Sequence, residues 1–326
     1  MKKKVLSGIR PTGKLHLGHW AGVLSNWVKI QSEYDCFFMV ADWHALMSEY
    51  KNSSNIKEII WDNVADWIAW GIDPDKSVIF VQSDIKEHLE LFLYLSLFTP
   101  LGWLSRCPTF KEQIKQLRDK EINTYAFLGY PVLQASDILI YKADYVPVGE
   151  DQLPHLEITR EIARRFHTLY RREIFIEPQP LLTTSAKLLG IDGRKMSKSY
   201  NNFIALDEED FSIEKKVLSM FTDSSRLRKK DPGHPQICNV YHYYNVFSPL
   251  KTEEVYKWCV NSQKGCKECK RILSQILIEI ISKKRKKKKE IMEDSKFITH
   301  LLEKGAEKAR KIAINTLEEV KKIVLG

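Results

Sequence analysis

Lys14-Leu15-His16-Leu17-Gly18-His19-Trp20 is the stretch on which the reading of this chain turns. A short apolar run, Val5-Leu6, and a turn, Gly8-Ile9-Arg10-Pro11-Thr12-Gly13, come before it. Apolar residues then recur at Leu17, Trp20, Val23, Leu24, Trp27 and Val28, the spacing of an amphipathic helix. Strand, glycine-bearing turn and helix start follow in order. At such a turn, free backbone N–H groups and a positive dipole end face whatever lies above, which suits phosphate. Gly18 is costly in a first helical turn and points to close approach by another group. His16 and His19 share one side of that turn and carry donors for phosphate oxygens. Strand-turn-helix with glycines is common, so the stretch alone leaves a nucleotide site open rather than decided.

The 326 residues suffice for an α/β core and a second domain. Apolar content of 44% with 29% charged residues is that of a soluble globular protein. A net charge of +9 permits a polyanionic partner. The basic start, Lys2-Lys3-Lys4, is followed by no apolar segment, so no signal peptide is expected. The longest uncharged stretch, residues 91–105, contains Pro100 and Gly102 and is too short to span a bilayer. A cytoplasmic, non-membrane protein is expected. Its six cysteines then read as thiols or metal ligands rather than disulfides.

Cys36-Phe37-Phe38-Met39-Val40-Ala41-Asp42 and Ser77-Val78-Ile79-Phe80-Val81-Gln82 read as buried strands, with a helix over 56–71 between them. Apolar strands alternating with helices predict a parallel sheet covered on both faces. A helical insertion is expected over about 85–143, a short strand at 145–149 and a helix over 151–167. Residues 178–194 read as irregular. Beyond about residue 206 helices dominate, ending in a helical tail over 296–325. The fold class is therefore α/β: a Rossmann-type doubly wound parallel sheet over 1–205, with an all-helical domain over 206–326.

A second signal stands far along the chain, at Lys195-Met196-Ser197-Lys198-Ser199, after Gly190 and Asp192-Gly193-Arg194. Two lysines and two hydroxyls on a polar loop can grip a polyphosphate, and alone they could equally be a solvated loop. Together, His16-Leu17-Gly18-His19 and Lys195-Met196-Ser197-Lys198-Ser199 resemble the two signature motifs of class I aminoacyl-tRNA synthetases. These enzymes join an amino acid to ATP, release pyrophosphate and pass the aminoacyl group to tRNA. The resemblance implies that Arg10, Pro11, Thr12, Gly18 and His19 line ATP, with Lys195, Met196, Ser197, Lys198 and Ser199 closing over it. His16, His19, Lys195 and Lys198 would supply the catalytic positive field, with Mg²⁺ bridging phosphates. Lys111 is a further candidate phosphate ligand.

Tyr130, Gln134, Asp137 and Tyr141 lie on one helical face amid Pro131, Val132, Leu133, Ile138, Leu139 and Ile140. A carboxylate there needs a donor, and a nearby helix end or backbone amide would serve. Tyr130-Pro131-Val132-Leu133-Gln134-Ala135-Ser136-Asp137-Ile138-Leu139, followed by Val146-Pro147-Val148-Gly149-Glu150-Asp151-Gln152, closely resembles the tryptophanyl branch of the family. The resemblance implies that Asp137 accepts the indole N–H, and an acceptor-only carboxylate suits a donor-only indole. It implies that Tyr130 and Gln152 also hold L-tryptophan, with Leu6, His44 and Gln134 nearby. His44 reads equally as a core histidine. Gly149, Glu150 and Asp151 would border the adenosine of ATP, with backbone around Leu188. Gln134 departs from the tryptophanyl pattern, where methionine is common, and fits the tyrosyl one. Leu6 stands where tyrosyl enzymes carry a tyrosine for the substrate hydroxyl, and it cannot satisfy a phenol. The alternatives are a tyrosyl relative and a non-catalytic RNA-binding paralogue. The helical domain is expected to bind the anticodon end of tRNA(Trp), in a homodimer.

Two features remain. Lys283-Lys284-Arg285-Lys286-Lys287-Lys288-Lys289 is either a solvated helix face or a contact for RNA phosphates. Cys238, Cys259, Cys266 and Cys269 form a C-x20-C-x6-C-x2-C set. Four thiolates suit Zn²⁺, but zinc favours two close pairs, and two of these cysteines stand alone. The set resembles that of bacterial tryptophanyl enzymes with a [4Fe–4S] cluster near the anticodon region, so a cluster is expected, with Zn²⁺ or free thiols as alternatives.

Overall fold

The computed structural model describes residues 2–107, 122, 124–182, 188–196 and 200–326. Lys111, Ser197, Lys198 and Ser199 lie outside the described residues. Among the described residues five strands make one parallel sheet: β1 (Lys4–Ile9), β2 (Asp35–Val40), β3 (Ser77–Val81), β4 (Tyr145–Val148) and β5 (Gln179–Leu182). Their order is β3-β2-β1-β4-β5, with Leu6 beside Phe37 and Val5 beside Tyr145. The strand order reverses direction between β1 and β4, so a crevice opens above their carboxyl ends.

The helices around this sheet are the short α1 (Leu17–His19), continued by a π-helical turn (Trp20–Leu24) into α2 (Ser25–Ile30), then α3 (Asp42–Glu49) and α4 (Ile56–Trp70). The insertion supplies α5 (Glu87–Ser96), α6 (Leu101–Arg106) and α7 (Tyr125–Ile140), and α8 (Leu153–Tyr170) follows β4. Strand side chains alternate between two cores. Cys36, Phe38 and Val40 face Trp27, Trp67 and Ile68, whereas Phe37 and Met39 join Leu91, Leu139 and Phe166. This covering of both faces explains the continuous apolar strands.

β5 corrects the irregular reading of 178–194. It is an edge strand, where Pro180 removes no needed ladder donor, so its proline hid it. The predicted single helix from Leu17 is also interrupted. Its π turn, a feature concentrated at functional sites, brings Gly22 and Val23 to the crevice.

The C-terminal helices are α9 (Asp210–Ser219), α10 (Asn239–Phe247), α11 (Thr252–Val260), α12 (Cys266–Glu293) and α13 (Ser295–Val324). Leu273, Leu277 and Ile281 of α12 pack in one cluster with Val64 and Trp67 of α4. α13 returns to the sheet, where Ala309, Ala313 and Leu317 are buried with Phe80 and Leu95. Gly305 lies against the Ile79 carbonyl with no room for a Cβ, so α13 covers the edge strand β3. Among the described residues no helix is long and apolar enough to cross a membrane.

Candidate active site

A cleft of about 380 Å³ opens at the β1/β4 reversal, a size within the range of about 300–1,000 Å³ typical of small-molecule sites. Leu6, Ser7 and Gly8 come from β1, Met39 and Ala41 from β2 and its end, and Val146, Val148 and Gly149 from β4 and its end. α7 contributes Tyr130, Gln134 and Asp137, α3 contributes His44, and Gln152 and His155 complete the wall. Leu6, His44, Tyr130, Gln134, Asp137 and Gln152 thus meet in one cleft, joined by Arg10 and Gly149. Glu150 and Asp151 are exposed on the turn between Gly149 and Gln152. The Leu188 side chain is buried in the core cluster.

The two signature stretches meet. The His16 backbone N–H donates to His19 Nδ1 at 3.1 Å, which leaves Nε2 of a neutral His19 carrying the proton. The two rings lie 3.8 Å apart between centroids. A Cβ on Gly18 would sit 3.0 Å from both the His16 ring and Met196 Sδ, so the lysine loop packs closely on the helix start at this glycine. Pro11 is buried and Thr12 half-buried in the turn before it. Lys195 is exposed, and its carbonyl accepts from Asn202 Nδ2 at 3.1 Å.

Asp137 is 2% exposed, and its partners are side chains rather than a helix end. Gln82 Nε2 donates to Oδ1 and Oδ2 at 2.8 and 2.9 Å. His88 Nδ1 is 2.6 Å from Oδ1, and His44 Nε2 is 2.9 Å from Oδ2. Burial pushes this carboxyl up, but the hydrogen bonds from His44 and His88 outweigh it and hold it below the ordinary range. His44 is therefore both a partnered histidine and a wall of the cleft. Tyr130 donates its hydroxyl to His155 Nε2 at 2.5 Å, and His155 Nδ1 donates to Gln152 Oε1 at 2.9 Å. Burial, with the charge of His44, lowers His155 to about 4, so the imidazole is neutral.

Gln82 and His88 escaped the sequence reading. They come from the end of β3 and the start of α5, and a single histidine in an apolar helix looks like filler. Its only signal is that a buried imidazole needs two partners.

Away from the cleft, Cys238, Cys259, Cys266 and Cys269 line one cavity of about 30 Å³. Burial pushes Cys269 up to about 12 and also raises Cys238 and Cys259, with neighbouring thiols adding to each shift. Arg226 bridges the Lys229 and Lys264 carbonyls at 2.7 and 3.0 Å, with Nη1 3.9 Å from Cys266 Sγ. Gly233 fits against Cys259 Sγ where a Cβ would not. Among the described residues, no three His, Cys, Asp or Glu side chains converge closely enough to hold one ion.

A family model described as class I tRNA synthetases (W and Y) matches residues 1–282. The tryptophan–tRNA ligase of Thermotoga maritima is 48% identical, over 98% of this chain and 98% of its own length. That of Ralstonia nicotianae is 41% identical, over 98% and 97%. The crystal structure of tryptophanyl-tRNA synthetase from Campylobacter jejuni complexed with ADP and tryptophan matches with a TM-score of 0.87 at 32% identity, covering 98% of each chain. Tyrosyl-tRNA synthetase from Archaeoglobus fulgidus matches at 0.70 and 20% identity, a likeness of fold alone. With its cleft at the strand reversal and its two signature stretches in contact, this chain belongs to the class I aminoacyl-tRNA synthetases, in the tryptophanyl family.

Proposed function

We propose that the chain is a tryptophan–tRNA ligase that joins L-tryptophan to ATP, releases pyrophosphate and passes tryptophan to tRNA(Trp). The observation that carries this reading is Asp137, a buried carboxylate that lines the same cleft as Leu6. A carboxylate accepts from an indole N–H, and Leu6 offers nothing to a phenol. Tyr130, Gln134 and Gln152 complete the tryptophan site beside His44. Arg10, Pro11, Thr12, Gly18, Gly149, Glu150 and Asp151, with backbone around Leu188, border ATP.

The tryptophan carboxylate is already ionised near neutral pH, so its oxygen attacks the α-phosphorus without a general base. A new O–P bond forms as the bond to pyrophosphate breaks. The barrier lies in bringing anions together and stabilising the leaving group. His16, His19, Lys195 and Lys198 supply that field, and Ser197 and Ser199 add hydroxyl donors. Mg²⁺ held by the phosphates would neutralise part of their charge. Residues 1–205 carry this chemistry, and 206–326 bind the anticodon end. The reaction belongs to the cytoplasm, where tRNA is charged. Leu89 and Leu93 of α5 and Leu97 just after it recur every four residues and, with Leu101, are 42, 58, 69 and 66% exposed. So large an apolar stripe favours a homodimer.

ATP–pyrophosphate exchange tests the reading. Tryptophan should support exchange at least about a hundredfold better than tyrosine, as a site built around one hydrogen bond can achieve. Comparable rates would reject it, and no exchange with either would favour a non-catalytic RNA-binding paralogue.

Cys238, Cys259, Cys266 and Cys269 fit a [4Fe–4S] cluster. Four cysteines distant in sequence line one cavity, and two of them standing alone suit four-thiolate cluster ligation better than the close pairs that Zn²⁺ favours. Aminoacylation has no redox step, so the cluster would brace the segment from 233 to 269. Anaerobically purified protein should be brown, with iron and sulfide near four each per chain. Cys266→Ser should bleach it and weaken tRNA charging more than exchange. Colourless protein with about one zinc and no iron would instead identify a zinc site.

A further inference from the structure

Behind the cleft wall, the Asp137 carboxylate is tied into a buried polar chain whose further members, His88 and Tyr141, do not line the cleft. His88 and Tyr141 are both fully buried. His88 Nδ1 stands 2.6 Å from Asp137 Oδ1, and Nε2 stands 2.6 Å from the Tyr141 hydroxyl. An ionised carboxylate only accepts, so Nδ1 carries the proton. Nε2 then accepts from the Tyr141 hydroxyl. The order Tyr141–His88–Asp137 therefore has one direction and one tautomer. Its frame is rigid: Ser136 Oγ donates to the His88 carbonyl at 2.6 Å. The Tyr141 ring packs against Phe37 and Phe80, at 5.2 and 5.6 Å between centroids.

The two carboxylate oxygens are thus unequal. Oδ1 is committed to the core through His88 and Gln82. Oδ2 takes the second Gln82 bond and His44, and His44 alone of these donors lines the cleft. A carboxylate has about four acceptor positions, and a ligand donor can claim only the one that His44 holds.

We propose that His88, oriented by Tyr141, is a specificity-determining positioning residue that holds Asp137 as a fixed, unprotonated acceptor, so that the indole N–H replaces His44 at Oδ2. The proposal rests on the reading of Asp137 as the indole acceptor. Its chemistry follows from burial: a carboxyl this deep, robbed of its inner donor, takes up a proton and becomes a donor itself. With that proton on Oδ1, Oδ2 would be a neutral and weaker acceptor for the indole N–H, and selectivity for a ring N–H would fall.

The test compares exchange with L-tryptophan and with β-(3-benzothienyl)alanine, whose ring N–H is replaced by sulfur. The quantity read is the ratio of the two kcat/KM values. Asp137→Leu, similar in size and without an acceptor, should collapse the ratio; an unchanged ratio means that Asp137 does not accept the N–H, and the proposal falls with that reading. With Asp137→Leu behaving as expected, His88→Gln should lower the ratio about tenfold, the worth of one hydrogen bond to a charged group. The loss should appear in the tryptophan KM, with kcat at saturation little changed. Equal losses for both amino acids, or no loss, would overturn the proposal while leaving the role of Asp137 intact. Tyr141→Phe keeps the packed ring and decides the matter if His88→Gln does not fold. It should lower the ratio about threefold, as losing one neutral hydrogen bond in the chain implies, and an unchanged ratio overturns the proposal.

Discussion

The bond from the Tyr130 hydroxyl to His155 Nε2 needs an unprotonated imidazole. Burial supplies one by lowering His155 to about 4, against about 6.5 in an unfolded chain. The folded state therefore refuses a proton that the unfolded state accepts. Stability from this site is complete above about pH 6.5 and declines as pH falls towards 4. At pH 5 the loss is about 2 kcal/mol. Thermal unfolding at pH 7 and pH 5 checks it: His155→Gln should lose less on acidification than the unsubstituted chain. Asp137 does not confuse the comparison. Its carboxyl lies below the ordinary range, so its contribution is lost only on stronger acidification. At this scale the sequence was readable where one element carries the site. Tyr130, Gln134 and Asp137 repeat along one helix face, and their order predicts a shared wall. Gln82 and His88 were not readable, because they meet Asp137 only when β3 and α5 pack against α7. Spacing along a chain does not encode which loop ends converge.

Elements were legible in proportion to their periodicity. β2 and β3 carry unbroken apolar runs, and α4 stops where Gly71 adopts φ 121° and closes the helix on Trp67 and Ile68. β5 is short, half-exposed and proline-bearing, so nothing in its composition announced a strand. The basic run 283–289 was legible only in part. Both readings of it, solvated face or RNA contact, suit its exposed lysines but not Lys288. The run lies within α12, and Ile281, Arg285 and Lys288 recur at the spacing of one helical face. That face is turned inward. Ile281 and Lys288 are buried and Arg285 is half-buried, while Lys283, Lys286, Lys287 and Lys289 are exposed. The apolar residues before the run held the clue, since the stripe of Leu273, Leu277 and Ile281 runs straight into it.

Across the whole molecule Lys288 ties three parts together. Its ammonium lies 2.6 Å from Asp62, 3.0 Å from Asp66 and 3.0 Å from Asp207. Asp62 and Asp66 belong to α4. Asp207 also pairs with Lys14 at 3.2 Å, just before the signature histidines. The segment carrying Asp207 is stitched to those histidines: Leu17 N donates to Ile204 O, and Leu206 N to Leu15 O, each at 3.0 Å. Arg285 reinforces it through the Glu208 carbonyl and Asp210. One buried cation of the C-terminal helices thus braces α4 and the strand-like segment that follows the lysine loop. Burial pushes Asp66 up to about 8 even beside Lys288, a sign of how poorly this pocket tolerates uncompensated negative charge. Removing the cation alone leaves three carboxylates facing one another. Lys288→Met should therefore cost about 3–5 kcal/mol, the penalty for breaking a buried pair from one side. Lys287→Met, one residue away but exposed, should cost almost nothing. The exchange rate at saturating tryptophan should fall in Lys288→Met, because the histidine stretch loses its brace, while the tryptophan KM stays near its original value. Matched thermal unfolding and exchange on the two variants decide it. Equal melting temperatures would make Lys288 one more surface charge and leave the histidine stretch held by its backbone bonds alone.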